Sequence, residues 1–246
     1  MAPRTRKTET RRPERRTEAL TRERIVAAAV ELLDASGEGG LTFRALTERL
    51  ATGPGAVYHH VANKNELVEA ATDAVIAGTL DGGTDASREA AGPTAPTNPR
   101  DAIRAVALGL FDAIEAHPWL APQLALQFSR SPWGPVAPRI LESIGRHVRD
   151  LGVPEESWFT AASALVHYVL GAAGQNAANV QSARDLPPGS TRGEFLDTAA
   201  RAWQDLDPGA YPFTRAVAAR MREHDDRAEF LAGVALVLAG ITAAGR

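Results

Sequence analysis

The sequence predicts an all-α protein. Apolar residues recur at helical spacing on both sides of one Gly- and Pro-rich stretch, no segment sustains strand alternation, and the breaks between periodic segments hold Gly, Pro or a capping Thr. A chain of 246 residues is long enough for one large or two modest domains with proper cores. It contains no cysteine, so neither a disulfide framework nor a thiolate metal site is expected.

The elements follow in order. Residues 1–20 carry Arg4, Arg6, Lys7, Arg11, Arg12, Arg15 and Arg16 without apolar periodicity, which predicts a disordered basic arm. A first helix from Thr21 or Arg22 to Ser36 buries Ile25, Ala29, Leu32 and Leu33, and Gly37, Gly39 and Gly40 end it. Phe43, Leu46 and Leu50 then repeat at i, i+3 and i+7 behind Thr42, which can cap the free amides. The pattern breaks at Ala51-Thr52-Gly53. Pro54 suits the first position of the next helix, and Ala56, Val57 and Val61 supply its small and apolar contacts. Two short helices around a turn of about three to four residues form a helix-turn-helix signature, whose second helix enters a DNA major groove. A fourth helix is expected from Lys64 to about Leu80, with Leu67, Ala70, Ala71, Ala74 and Val75 inward. Residues 81–100, DGGTDASREAAGPTAPTNPR, have almost no large apolar residue and predict a flexible linker.

Beyond the linker, Ile103, Val106, Ala107, Leu110, Phe111 and Ile114 define a helix that His117-Pro118 ends. Shorter helices follow at Trp119 to Phe128 and at Val136 to Leu151, the second with Ile140, Leu141, Ile144 and Val148 buried and Arg139, Arg146 and Arg149 facing water. The longest helix runs from Glu155 to about Gln181. It places Trp158, Ala162, Leu165, Val169, Ala172 and Val180 on one face and His167, Tyr168, Gly171, Gln175 and Asn179 on another. Helices near Glu194 to Asp205, Tyr211 to His224 and Arg227 to Ala244 complete the chain. The last is apolar nearly all round, through Phe230, Leu231, Val234, Val237, Leu238 and Ile241, so it needs cover on several sides. A second copy of the chain would supply that cover by a two-fold contact.

Charge is uneven. Residues 1–64 hold 12 Lys and Arg against 8 Asp and Glu, a net of +4, which leaves −7 of the total −3 for the remainder. A basic head suits a polyanion and an acidic body stays off it. The N terminus is charged throughout, so no signal peptide is expected, and the apolar run 231–245 is shorter than the roughly 20 residues of a spanning helix. A cytoplasmic protein without a membrane partner is therefore expected. HExxH, GxSxG, Walker and dinucleotide motifs are absent, Gly37-Glu38-Gly39-Gly40 lacks a preceding strand, and His224-Asp225-Asp226 reads as a solvated turn; no enzyme and no cofactor is expected.

The stretch Leu41 to Leu67, with Tyr58-His59-His60-Val61 and Asn63-Lys64 as its specific part, resembles the N-terminal domain of the TetR family of bacterial repressors, as does Arg24 to Leu33 upstream. The resemblance implies a DNA-binding domain at 21–66 and a ligand-binding and dimerisation domain at 67–246, the dimer forming through the helices near 155–181 and 227–244. It implies double-stranded DNA and a small-molecule effector as partners, with a constitutive or architectural regulator as the alternative.

Arg44 matches a family position that contacts a base, while Tyr58, His60 and Lys64 match positions that grip phosphates; Thr42 can do so from its helix start, and His59 lies beside them. The turn departs from family members with a long polar residue there. Pro54, Gly55 and Ala56 leave reading to close backbone approach, to carbons against thymine methyls, and to Arg44 on guanine. Candidate ligand-binding residues are His117, Trp119, Gln123, Gln127, Phe128, Trp133, His167, Tyr168 and Gln175, a mixed aromatic and amide set. His117 stands roughly where tetracycline-binding members place a metal-chelating His, but no partner ligands can be read, so no metal is expected.

Overall fold

The structure, a computed structural model, describes residues 19–91, 98–184, 189 and 191–244, so most of the expected basic arm lies outside the described residues. Every regular element among them is helical. Helix α1 (Arg22–Gly40) starts where the Thr21 hydroxyl accepts from the Arg24 amide, and α2 (Phe43–Leu50) starts likewise at Thr42, which accepts from Ala45. Ala51 stops α2 in the left-handed region at φ 48°, and Gly53 with Pro54 opens α3 (Pro54–Tyr58). Ile25, Ala29, Leu33, Leu46, Val57, Val61 and Leu67, all buried, bind α1, α2 and α3 to the first turn of α4.

Helix α4 (Lys64–Ala91) rises out of this head into a body of α5 (Pro99–Ala116), α6 (Leu120–Arg130), α7 (Val136–Asp150), α8 (Trp158–Arg184) and α11 (Asp226–Ala244). A 3-10 turn, Glu155–Ser157, leads into α8, which is central: α5, α6, α7 and α11 all pack on it. Leu165, Val166, Val169 and Ala173 fill that contact with Ile103, Leu110, Ile140, Ile144 and Val234. Helix α9 (Arg192–Gln204), α10 (Pro212–Val217) and the 3-10 stretch Ala218–Glu223 pack chiefly on one another, as an outlying unit. Among the described residues, no helix is long and apolar enough to cross a membrane.

Several expectations need correction. The expected linker 81–100 is largely helix: α4 continues to Ala91, and Asn98 caps α5, leaving 92–97 outside the described residues. Apolar periodicity is silent there, and although Ala, Arg and Glu follow, the Gly82-Gly83-Thr84-Asp85 stretch has poor helix propensity, so no local signal in the sequence explains the extension. On α4, Ala74 faces water while Val68 and Ile76 are buried, because the helix changes neighbours between head and body. Arg139 faces water only in part: it reaches Asp73 and Asp81 on α4, and its Nε is buried with no hydrogen-bond partner among the described residues. The His224 to Asp226 segment is no solvated turn: Asp226 accepts from Asn179 at 3.0 Å, pairs with Arg192 and lies 3.1 Å from His224 Nε2, while Asp225 caps α11. The segment Tyr211 to His224 divides into α10 and the 3-10 stretch, and α9 starts two residues before Glu194, where Thr191 and Glu194 form a capping box.

Candidate nucleic-acid interface

Helix α3 has one buried side chain, Val57, and this single anchor turns the rest of its surface outward. Pro54, Gly55 and Ala56 are all exposed at its start. No Cβ would meet an atom within 4 Å at Gly53 or Gly55, so the backbone there is bare on its outer side. Tyr58, 54% exposed, stacks face to face on Phe43 of α2, with ring centroids 4.5 Å apart and planes 17° off parallel. That stack fixes the phenol at the edge of the α2–α3 surface. His59 and His60 follow with rings edge to face at 5.5 Å.

Arg44 projects from α2 with its side chain 88% exposed. Glu48 one turn later accepts from its Nε at 2.9 Å and raises its pKa further above the ordinary guanidinium value. The two terminal nitrogens of that guanidinium have the fork geometry for the O6 and N7 of a guanine. Thr42 is exposed, with its hydroxyl engaged as the α2 cap. Lys64 points back into the protein: its Nζ donates to the Glu38 carbonyl at 2.6 Å, satisfying the end of α1. Asn63 caps α4 by accepting from the Glu66 amide, and the Glu66 carboxylate accepts from Ala62. Both residues of the distinctive Asn63-Lys64 element are thus engaged within the fold.

The nine ligand candidates do not converge. His117 Nδ1 and Trp119 Nε1 each lie 2.7 Å from Asp34 Oδ1, and Gln123 Nε2 donates to Glu38 at 2.9 Å, so these three tie α5 and α6 to the end of α1. Gln127 is buried, and its Nε2 has no hydrogen-bond partner among the described residues. Phe128 is half-buried beside it in sequence, whereas Trp133 is 82% exposed on the turn before α7. On α8, Tyr168 donates to the Phe230 carbonyl at 3.1 Å, Gln175 donates to Asn179 at 3.0 Å, and His167 is exposed. Sequence reasoning missed Asp34 and Glu38, which are ordinary charges on α1 until the fold brings α6 against them. It also missed Arg139. Among the described residues no three His, Cys, Asp or Glu side chains come together as a metal site.

Comparison with known proteins agrees with this architecture. Residues 25–71 match the profile of the bacterial regulatory proteins of the tetR family, and residues 93–244 match the tetracyclin repressor-like C-terminal domain. The solved transcriptional regulator SCO7222, a TetR from Streptomyces coelicolor, is 62% identical, superposes with a TM-score of 0.80, and is covered over its whole length by 93% of this chain. ActR of the same organism, solved with actinorhodin, shares the fold at 24% identity and a TM-score of 0.72, over 93% of this chain and 98% of ActR. The repressor DrrR1 of Streptomyces coeruleorubidus is 32% identical over 170 residues, which are 66% of this chain but only 56% of that protein. A helix-turn-helix head on a central-helix body, matched by profile in both parts, places this chain in the tetR family of bacterial regulatory proteins.

Proposed function

We propose that the protein is a transcriptional repressor that binds a palindromic DNA operator as a homodimer and leaves it when a small molecule occupies the body. The observation that carries the first half is the outward presentation of α3, bare at Pro54 to Ala56 and flanked by Arg44 and the stacked Tyr58. In this reading Arg44 reads guanine and Tyr58, His59, His60 and Thr42 hold phosphates, with Lys64 joining them after leaving the Glu38 carbonyl. Two α3 helices about 34 to 36 Å apart, or one turn more, would meet both half-sites.

Ligand response is supported by two buried donors on α6 and α7, Gln127 Nε2 and Arg139 Nε, that have no partner among the described residues, since such groups ordinarily bind water or a ligand. Both helices pack on α4, the element that carries the head, so an effector with hydrogen-bond acceptors placed there would bias the head's position. Its effect extends only as far as its differential affinity for the two arrangements. A constitutive regulator would leave those donors without a role.

Selection of random duplexes by the full-length protein tests the operator, and a thermal-shift screen followed by gel-shift release tests the switch. An inverted repeat, and compounds that both raise the melting temperature and free the DNA, are expected. Recovered sequences lacking two-fold symmetry would count against the operator; stabilising compounds that never release DNA would count against the switch.

A further inference from the structure

A half-open cavity of about 640 Å³ lies where the end of α1 meets the α5–α6 turn and the C-terminal half of α8. It touches both the head and the body. Its volume falls in the range of small-molecule sites. Two carboxylates line it, Asp34 and Glu38, with the Trp119 indole, the Gln123 amide and small α8 residues such as Gly174 and Ala178; none of the lining side chains is Lys or Arg. Asp34 uses Oδ1 for both His117 and Trp119, and Glu38 uses Oε2 for Gln123, so among the described contacts each carboxylate keeps a second oxygen available. Lys64 is close, but its Nζ takes the Glu38 carbonyl.

We infer that this junction cavity is a binding site for a small organic cation, an ammonium or amidinium group on an apolar or aromatic body. The charged group pairs with the free oxygens of Asp34 and Glu38, and the apolar part lies along Trp119, Pro118 and Pro122. The cation then sits on the same two carboxylates that His117, Trp119 and Gln123 use to tie the head to the body, so its binding is coupled to the position of the head. The consequence for DNA rests on the regulator reading above; the binding does not.

Dansylcadaverine, a fluorescent primary ammonium, is the probe, and N-pentyl dansylamide is its uncharged analogue. Anisotropy titrations with full-length protein in the absence of DNA should show the ammonium binding at least roughly tenfold tighter than the analogue. Asp34→Asn combined with Glu38→Gln should remove that preference. Ala178→Trp, at an exposed lining position, should block binding with both carboxylates intact. Equal affinity for the two probes, or undiminished dansylcadaverine binding by either variant, overturns the proposal. If the carboxylate variant does not fold, Ala178→Trp decides the matter alone. Gel shifts on the same preparations keep the two readings apart: a protein that binds duplex DNA but shows no ammonium preference loses the cation site and keeps the regulator.

Discussion

Arg44 and Lys64 both carry charge in the head, and their surroundings assign them different tests. Arg44 is solvated and held, among the described residues, only by Glu48, so Arg44→Ala should leave stability unchanged while lowering operator affinity by roughly 1 to 3 kcal/mol and relaxing choice at one base position. Selected-site sequencing on that variant measures it, and an unchanged consensus would remove Arg44 as a reader. Lys64 donates to the last turn of α1, so Lys64→Ala should lower the melting temperature slightly and also flatten the salt dependence of DNA binding by about one unit. A lower melting temperature with an unchanged salt slope would make Lys64 structural alone. The caps and the buried face of α2 were legible in sequence because they join residues three to seven apart. The bonds of His117, Trp119 and Gln123 to α1 were not: each spans more than 80 residues, and no local pattern specifies which helix a polar side chain will meet.

Between elements, α11 approaches α8 closely at Gly233. A Cβ on Gly233 would stand 1.8 Å from the Tyr168 hydroxyl and 2.2 Å from its ring carbon, and that hydroxyl is fixed on the Phe230 carbonyl. Gly233→Ala should therefore destabilise the protein by about 1 to 3 kcal/mol, read by chemical denaturation, with partial recovery when Tyr168→Leu is added. No loss in the single variant would mean that the two helices part easily. Helix α7 adds a pH dependence. Burial, with the nearby Arg146, depresses His147 below its ordinary value near 6.5. The unfolded chain then binds the proton more readily, so stability present at neutral pH falls as the pH drops through 6.5 toward the folded-state pKa. His147→Gln should flatten that decline in melting temperature. Helix existence was legible across the body because long amphipathic segments announce their period. The extension of α4 to Ala91 was not, since it crosses Gly82 and Gly83 and has no apolar stripe to announce it.

For the molecule as a whole, the outer face of α11 is the surface that asks for cover. Phe230, Val234 and Leu238 are buried against α5 and α8, yet Leu236 is 74% exposed, and Ala232, Ala235, Ala239 and Gly240 are exposed with it. Phe159 at the start of α8 is exposed as well. An apolar face of this kind on a helix packed against the central one suits a second copy better than water, because a two-fold contact sets the same face against itself. If that face is the dimer contact, Leu236→Asp puts an unpaired carboxylate into an apolar seam from which water is excluded. Light scattering should then report a single chain, and operator affinity should collapse toward the non-specific level, because one head can occupy only one half-site. The junction supplies the opposite case. Asp34→Ala frees the head from His117 and Trp119 while leaving α11 untouched, so it should keep the dimer while weakening both cation binding at the junction and the coupling of the body to the head. A Leu236→Asp protein that stays dimeric and still holds a full operator tightly would show that the two heads are joined elsewhere.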